Sequence, residues 1–100
     1  MSKSVDFEKY AHFVNAVTSE ESKDYISFNS RCFNIQTGDD GIPIHRLLTA
    51  ALGLTAEGGE FTEIVKKIVF QGKPVNEDNI FHMKRELGDI LWYFIQACIS

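Results

Sequence analysis

The sequence predicts an all-α fold, a helical bundle formed by a single domain that spans residues 1–100. Apolar residues recur every three or four positions along most of the chain, and no segment alternates polar and apolar residues for long. The chain has 100 residues, of which 44% are hydrophobic and 24% charged, and this is the size and composition of one soluble domain. The sequence contains no repeat and no linker long enough to separate two domains.

Two helices are predicted in the first part of the chain. Ser4 is a suitable N-cap for a first helix, which places apolar residues on one side. Thr18 and Glu21 have the spacing of a capping box, and this predicts a second helix that ends near residue 33 or 35. Residues 38–41, which contain two glycines and two aspartates, are typical of a turn.

Two longer helices are predicted in the second part. Pro43 favours a helix start, and the apolar pattern then continues over residues 44–70 until Gly72 and Pro74 end it. The polar residues 76–79 are predicted to be a connection. A last helix is predicted from about residue 80 to the end of the chain.

Charge and composition exclude several classes of function. The net charge is −4, which argues against binding to a nucleic-acid polymer, since that affinity normally comes from a basic surface. No run approaches the ~18 apolar residues of a membrane span, and no apolar leader follows Met1. Cys32 and Cys98 lack metal-ligand spacing and are typical of reduced thiols. We therefore expect a cytoplasmic protein without membrane contact.

Four acidic residues occur as two pairs with the same spacing. Glu57 and Glu60 form one pair, Glu86 and Asp89 form the other, and each spacing of three puts both carboxylates on one helical face. Both faces are otherwise apolar, where unpaired anions are strongly destabilising. Four carboxylates facing one another across two helices would form an oxygen site for a hard divalent cation. The pattern predicts Mg²⁺, with Mn²⁺ as the other candidate.

Further candidate residues lie near these acids. Glu63 falls at the edge of the acidic face, as a water-orienting base or as a salt-bridge partner. Lys67 returns to that face and is suited to bind phosphate or to pair with Glu60. Tyr93 follows Asp89 by four residues and either contacts substrate or packs in the core. Lys73 is free to reach a phosphate, whereas the three histidines share no spacing and are interpreted as structural or surface residues.

At these residues the chain resembles the MazG-like nucleotide pyrophosphohydrolases of the all-α NTP pyrophosphatase superfamily. The resemblance runs from about residue 46 to residue 93. It is carried by a Glu-x-x-Glu in Ala56-Glu57-Gly58-Gly59-Glu60-Phe61, by Val65-Lys66-Lys67, and by a Glu-x-x-Asp in Glu86-Leu87-Gly88-Asp89-Ile90-Leu91-Trp92-Tyr93. The 26 positions from the first motif to the second suit the rest of one helix, a turn and the start of the next.

The resemblance implies an enzyme that hydrolyses a (d)NTP to the monophosphate and pyrophosphate, in nucleotide-pool control or house-cleaning. It implies that Mg²⁺ is held by Glu57, Glu60, Glu86 and Asp89, and the general base is then expected to be Glu63. It also implies that the domain lacks a C-terminal helix, since the chain ends at Ser100. The nucleotide base, the sugar, and the choice between standard, damaged and alarmone substrates stay open.

The apolar pattern predicts assembly into an oligomer. The last helix is apolar on almost every side, and one small bundle can bury only part of it. We expect a homodimer or homotetramer built on the last two helices, and the resemblance implies the same.

Two other classes of helical protein place acids on helices. A di-iron bundle requires Glu-x-x-His on two helices, and none of the three histidines follows a glutamate at that spacing. A non-enzymatic helical module that binds a metal or a partner remains an alternative.

Overall fold

The computed structural model describes residues 4–100, and this part of the chain contains helices and no strand. The helices are α1 (Phe7–Val17), α2 (Glu20–Lys23), α3 (Tyr25–Thr37), α4 (Ile44–Phe70) and α5 (Glu77–Ile99). The all-α prediction is therefore confirmed, with helices making up about 80% of the chain. None of the described helices is both long enough and apolar enough to cross a membrane.

The first and last helices begin at residues other than the predicted ones. Asp6, rather than Ser4, caps α1, because its side chain accepts a hydrogen bond from the Lys9 amide at 3.0 Å. The last helix begins at Glu77 rather than near residue 80, because the Asn76 side chain accepts from the Asn79 amide at 2.9 Å. The predicted polar connection is thus mostly a first helical turn, where acidic residues are favoured by the helix dipole.

The second predicted helix is two helices in the structure. Asp24 has an extended backbone (φ −129°, ψ 120°) between α2 and α3, and its carboxylate accepts from the Ser27 hydroxyl at 2.7 Å and the Ser27 amide at 3.0 Å. These two bonds hold the pKa of Asp24 below its ordinary value. The predicted capping box is not formed, because the Thr18 hydroxyl donates back to the Val14 carbonyl.

The turns before and after α4 lie at the glycine-containing positions that the sequence predicted. Gly41 has a positive φ of 58°, and its amide donates to the Gly38 carbonyl at 3.1 Å. Gly72, just after α4, has a φ of 68°. Other residues adopt this left-handed conformation only at an energetic cost, so both glycines are placed where the chain must reverse direction.

The main packed unit is the α4–α5 pair. Ala50 is fully buried, and Gly53 lies directly beneath the ring of Tyr93, which would overlap a Cβ at that position. The Arg46 Nε donates to the Gln96 Oε1 at 2.8 Å and joins the start of α4 to the end of α5. The two long helices are therefore antiparallel and in close contact.

The molecule as a whole is extended and thin. Its radius of gyration is 20.0 Å, compared with about 13 Å for a compact domain of this length, and its extents are 52 × 49 × 16 Å. The smallest extent is little more than one helix diameter. Within residues 4–100, no other helix lies within 8 Å of α1 in Cα distance, and Phe7 of α1 is 76% exposed. One chain by itself thus leaves most of its apolar surface uncovered.

The Gly53–Tyr93 contact gives a test of the helix pairing. We expect Gly53→Ala to lower the free energy of unfolding by roughly 1–3 kcal/mol, because the added methyl group overlaps the Tyr93 ring. Urea unfolding of Gly53→Ala, Tyr93→Leu and the double variant measures this. In the double variant the two losses should be less than additive, since a smaller side chain makes room for the methyl group. Strict additivity would contradict the contact.

Candidate metal centre

The α4–α5 pairing brings three of the predicted acids together. Glu57 and Glu60 lie one turn apart on α4, and Glu86 faces them from α5, with one carboxylate oxygen from each within 4.8 Å of the others. Glu57 and Glu86 are half-buried and Glu60 is exposed. Among the described residues, no lysine or arginine forms a salt bridge with any of the three. The cluster therefore concentrates negative charge.

Two oxygens of the cluster are buried without a hydrogen-bond donor. They are Glu57 Oε2 and Glu86 Oε2. A proton on Glu57 that is shared with Glu86 relieves both oxygens, and this hydrogen bond, loss of water and the nearby Glu60 together raise the pKa of Glu57 to about 7. The same hydrogen bond lowers the pKa of Glu86. Below about pH 7 the two carboxylates thus share one proton, and above that pH the three acids are ionised.

Asp89 is placed differently from the other three acids. It lies on α5 one turn beyond Glu86 and is half-buried, but it is outside the group whose oxygens approach within 4.8 Å. Its assignment as a fourth metal ligand stays a prediction.

Glu63 and Lys67 are paired with each other rather than with the cluster. Lys66 Nζ lies 3.2 Å and Lys67 Nζ 3.6 Å from Glu63 carboxylate oxygens. The hydrogen bond and charge of Lys66, followed by Lys67, lower the pKa of Glu63, which makes its carboxylate a weaker proton acceptor. The geometry fits the salt-bridge interpretation of Glu63, and Lys67 pairs with it and not with Glu60. The catalytic role of Glu63 stays a prediction.

A cavity of about 520 Å³ adjoins the cluster between α4 and α5. Its volume lies within the ~300–1,000 Å³ of small-molecule sites. Sequence reasoning did not assign Asn79 or His82 to it, although His82 precedes Glu86 by four residues and so shares its helical face. The lining residues are Glu60, Glu63, Ile64, Lys67, Ile68, Lys73, Asn79, His82 and Glu86.

Tyr93 does not line this cavity. Its ring covers Gly53 and meets the Trp92 ring edge-on, with centroids 5.0 Å apart at an interplanar angle of 89°. This arrangement agrees with the packing role, and a contact with substrate stays a prediction.

No family model, curated protein or solved structure matches this chain. The assignment of the site therefore depends on the residues themselves. Three carboxylates with two unpartnered oxygens are a donor set that suits a hard divalent cation, which takes oxygen ligands.

The raised pKa of Glu57 predicts how stability depends on pH. Because folding raises this pKa from 4.5 to about 7, the Glu57 contribution to stability is fully present below pH 4.5 and is lost as the pH rises through 7. We expect the melting temperature of EDTA-treated protein to fall between about pH 5 and about pH 8. In Glu57→Gln this fall should largely disappear, whereas in Glu63→Gln, a matched control, it should persist.

Mg²⁺ should oppose the fall in melting temperature at high pH. At about pH 8 the cluster is ionised, so a cation that binds it raises the melting temperature of the wild type more than that of Glu57→Gln. A melting temperature that is independent of pH over this range would contradict the shared proton.

Proposed function

We propose that this protein is a Mg²⁺-dependent nucleoside triphosphate pyrophosphohydrolase of the MazG-like type, which converts a (d)NTP to (d)NMP and pyrophosphate. The observation that carries the proposal is the cluster of Glu57, Glu60 and Glu86, which have no salt-bridge partner among the described residues and adjoin a cavity lined by lysines. An anionic cluster of this kind would hold a divalent cation, and the neighbouring lysines would bind the phosphates of a nucleotide. The motifs around these acids support the same activity.

The metal ligands in this proposal are Glu57, Glu60, Glu86 and Asp89. Mg²⁺ is preferred and Mn²⁺ is acceptable, because all four ligands are carboxylates. An ion held there would neutralise the charge of the triphosphate and would lower the pKa of an attacking water. Glu57 and Glu86 must release their shared proton before both can serve as ligands, so metal affinity rises with pH.

The remaining residues bind substrate and accept the proton. Lys67 binds a phosphate oxygen, and Tyr93 contacts the nucleoside. Water attacks the α-phosphorus, the bond from that phosphorus to the bridging oxygen breaks, and pyrophosphate leaves. Glu63 accepts the water proton, and it becomes a better acceptor when a phosphate draws Lys67 away, because Lys67 contributes with Lys66 to its lowered pKa. Such an enzyme would act in the cytoplasm, in nucleotide-pool control or house-cleaning.

A nucleotide panel with product identification tests the function. With Mg²⁺ we expect monophosphate and pyrophosphate in equal amounts from at least one nucleoside triphosphate. Glu57→Gln and Asp89→Asn should each lower kcat/KM by about 100-fold or more, because each removes a metal ligand. Glu21→Gln, on an exposed helix away from the cluster, is the matched control and should keep normal activity.

Two outcomes would contradict the function. Orthophosphate and diphosphate as primary products would indicate a different enzyme. Metal binding without release of pyrophosphate from any nucleotide would favour the non-enzymatic helical module.

We also propose that the active form is a homodimer or a homotetramer. The support is the thin shape of one chain and two uncovered surfaces on its long helices. The outer face of α4, about 120–200° from Glu57, carries small exposed residues: Ala51, Thr55, Gly59 and Thr62. The groove on α5 is mostly apolar and is lined by Gly88, Leu91, Trp92, Ile95, Gln96 and Ile99. A second copy would cover these surfaces.

Sedimentation velocity at low micromolar concentration tests the assembly. We expect the mass of at least a dimer for the wild type and a shift toward monomer for Leu91→Glu, because a buried charge in the α5 groove is strongly unfavourable. Ser30→Glu on α3 introduces the same charge outside both surfaces and should leave the mass unchanged. A stable, well-folded wild-type monomer would overturn the proposed assembly.

A further inference from the structure

The cavity beside the acidic cluster is acidic at one end and basic at the other, and the two ends are separated along the axes of α4 and α5. Glu60 and Glu86 belong to the metal cluster, whereas Lys67 lies about 10 Å further along α4, toward the loop that joins α4 to α5. Lys73 lies in that loop, and His82 lies on α5 one turn before Glu86. The cavity therefore extends from the anionic cluster toward a group of basic side chains near the loop.

The backbone holds Lys73 close to Lys67. After the end of α4, the Lys67 carbonyl accepts hydrogen bonds from the amides of both Gln71 and Lys73, each at 3.1 Å. The positive φ of Gly72, 68°, allows the chain to turn back in this way. The position of Lys73 over the last turn of α4 is thus built into the loop.

The other end of the loop is held as well. The Asn79 side chain donates to the Pro74 carbonyl at 2.7 Å, and the Asn79 amide donates to the Asn76 side chain at 2.9 Å. Both hydrogen bonds join the loop to the first turn of α5, the helix that carries His82. The backbone of the loop that carries Lys73 is consequently held at both ends by hydrogen bonds.

We propose that Lys67, Lys73 and His82 form a subsite for the β- and γ-phosphates of the substrate, and therefore for the pyrophosphate product. This inference rests on the proposed function and adds the orientation of the substrate. Only the basic part of the cavity attracts phosphate without a metal, since the acidic cluster repels it. Lys67 is available because its ion pair with Glu63 is half-exposed, and such pairs are weak.

The orientation of the nucleotide follows from this placement. With the terminal phosphates toward the loop, the α-phosphorus lies at the metal cluster. The nucleoside then extends in the opposite direction along α5, toward Tyr93, which follows Glu86 by two turns. The subsite therefore distinguishes the two products, because pyrophosphate occupies it and the monophosphate does not.

Calorimetric titration with pyrophosphate in the presence of Mg²⁺ tests the subsite without any turnover. We expect Lys73→Gln and His82→Gln each to weaken pyrophosphate binding by about tenfold, the loss of one charge-assisted hydrogen bond. Lys84→Gln is the matched control, since Lys84 is an exposed α5 residue that does not line the cavity. Both altered residues are exposed, so circular dichroism should show unchanged helices.

Product inhibition gives the second measurement. In Lys73→Gln and His82→Gln the inhibition constant of pyrophosphate should rise about tenfold, whereas that of the monophosphate should stay unchanged. Equal weakening of both products, or unchanged pyrophosphate binding in both variants, would overturn the subsite while leaving the proposed activity intact. Pyrophosphate binding that depends on Lys73 and His82, without hydrolysis of any nucleotide, would support the subsite and reject the enzyme.

Discussion

The packing of α5 against α4 is the interaction on which the site depends. Gly53 allows the Tyr93 ring to approach the α4 backbone, and Ala50, one turn earlier on α4, is fully buried. This close approach sets the distance between the helices and so places Glu86 opposite Glu57 and Glu60. The contact between the helices holds the three carboxylates near one another despite their mutual repulsion, which the partial exposure of the cluster to water weakens.

In that arrangement the three clustered carboxylates repel one another, and this repulsion destabilises the fold locally. Two oxygens without donors and a Glu57 pKa of about 7 show that the site is not neutralised by the protein's own side chains. A proton on Glu57 reduces this repulsion, and a cation that bound here would also stabilise the fold. Sites in which local rules of stability are broken are where function is expected, and here the broken rule concerns the clustering of like charge.

The glycines within α4 and α5 fall into two groups, according to whether another part of the chain packs against them. Gly53 is required by contact within the chain, whereas a Cβ at Gly58, Gly59 or Gly88 would meet no atom within 4 Å. Each of those three still lowers helix propensity by about 0.8–1 kcal/mol relative to alanine. Packing within the described part of the chain therefore does not require glycine at these three positions.

The sequence by itself determined the helical class, the long helix over residues 44–70 and the shared helical face of Glu57 and Glu60, because local signals suffice for these features. Pro43 and Gly72 act on their own backbone, and the spacing of Glu57 and Glu60 places them on one face in any helix. The helix starts were harder to predict from the sequence, because more than one residue near each start can cap the helix. Asp6 competes with Ser4 at the start of α1, and Asn76 competes with a later residue at the start of α5. The tertiary structure alone decided that Tyr93 covers Gly53, that Asp89 lies outside the cluster and that Lys73 and His82 share a cavity. These facts depend on the rotation and register of α5 relative to α4, and the periodicity of a single helix contains no information about either.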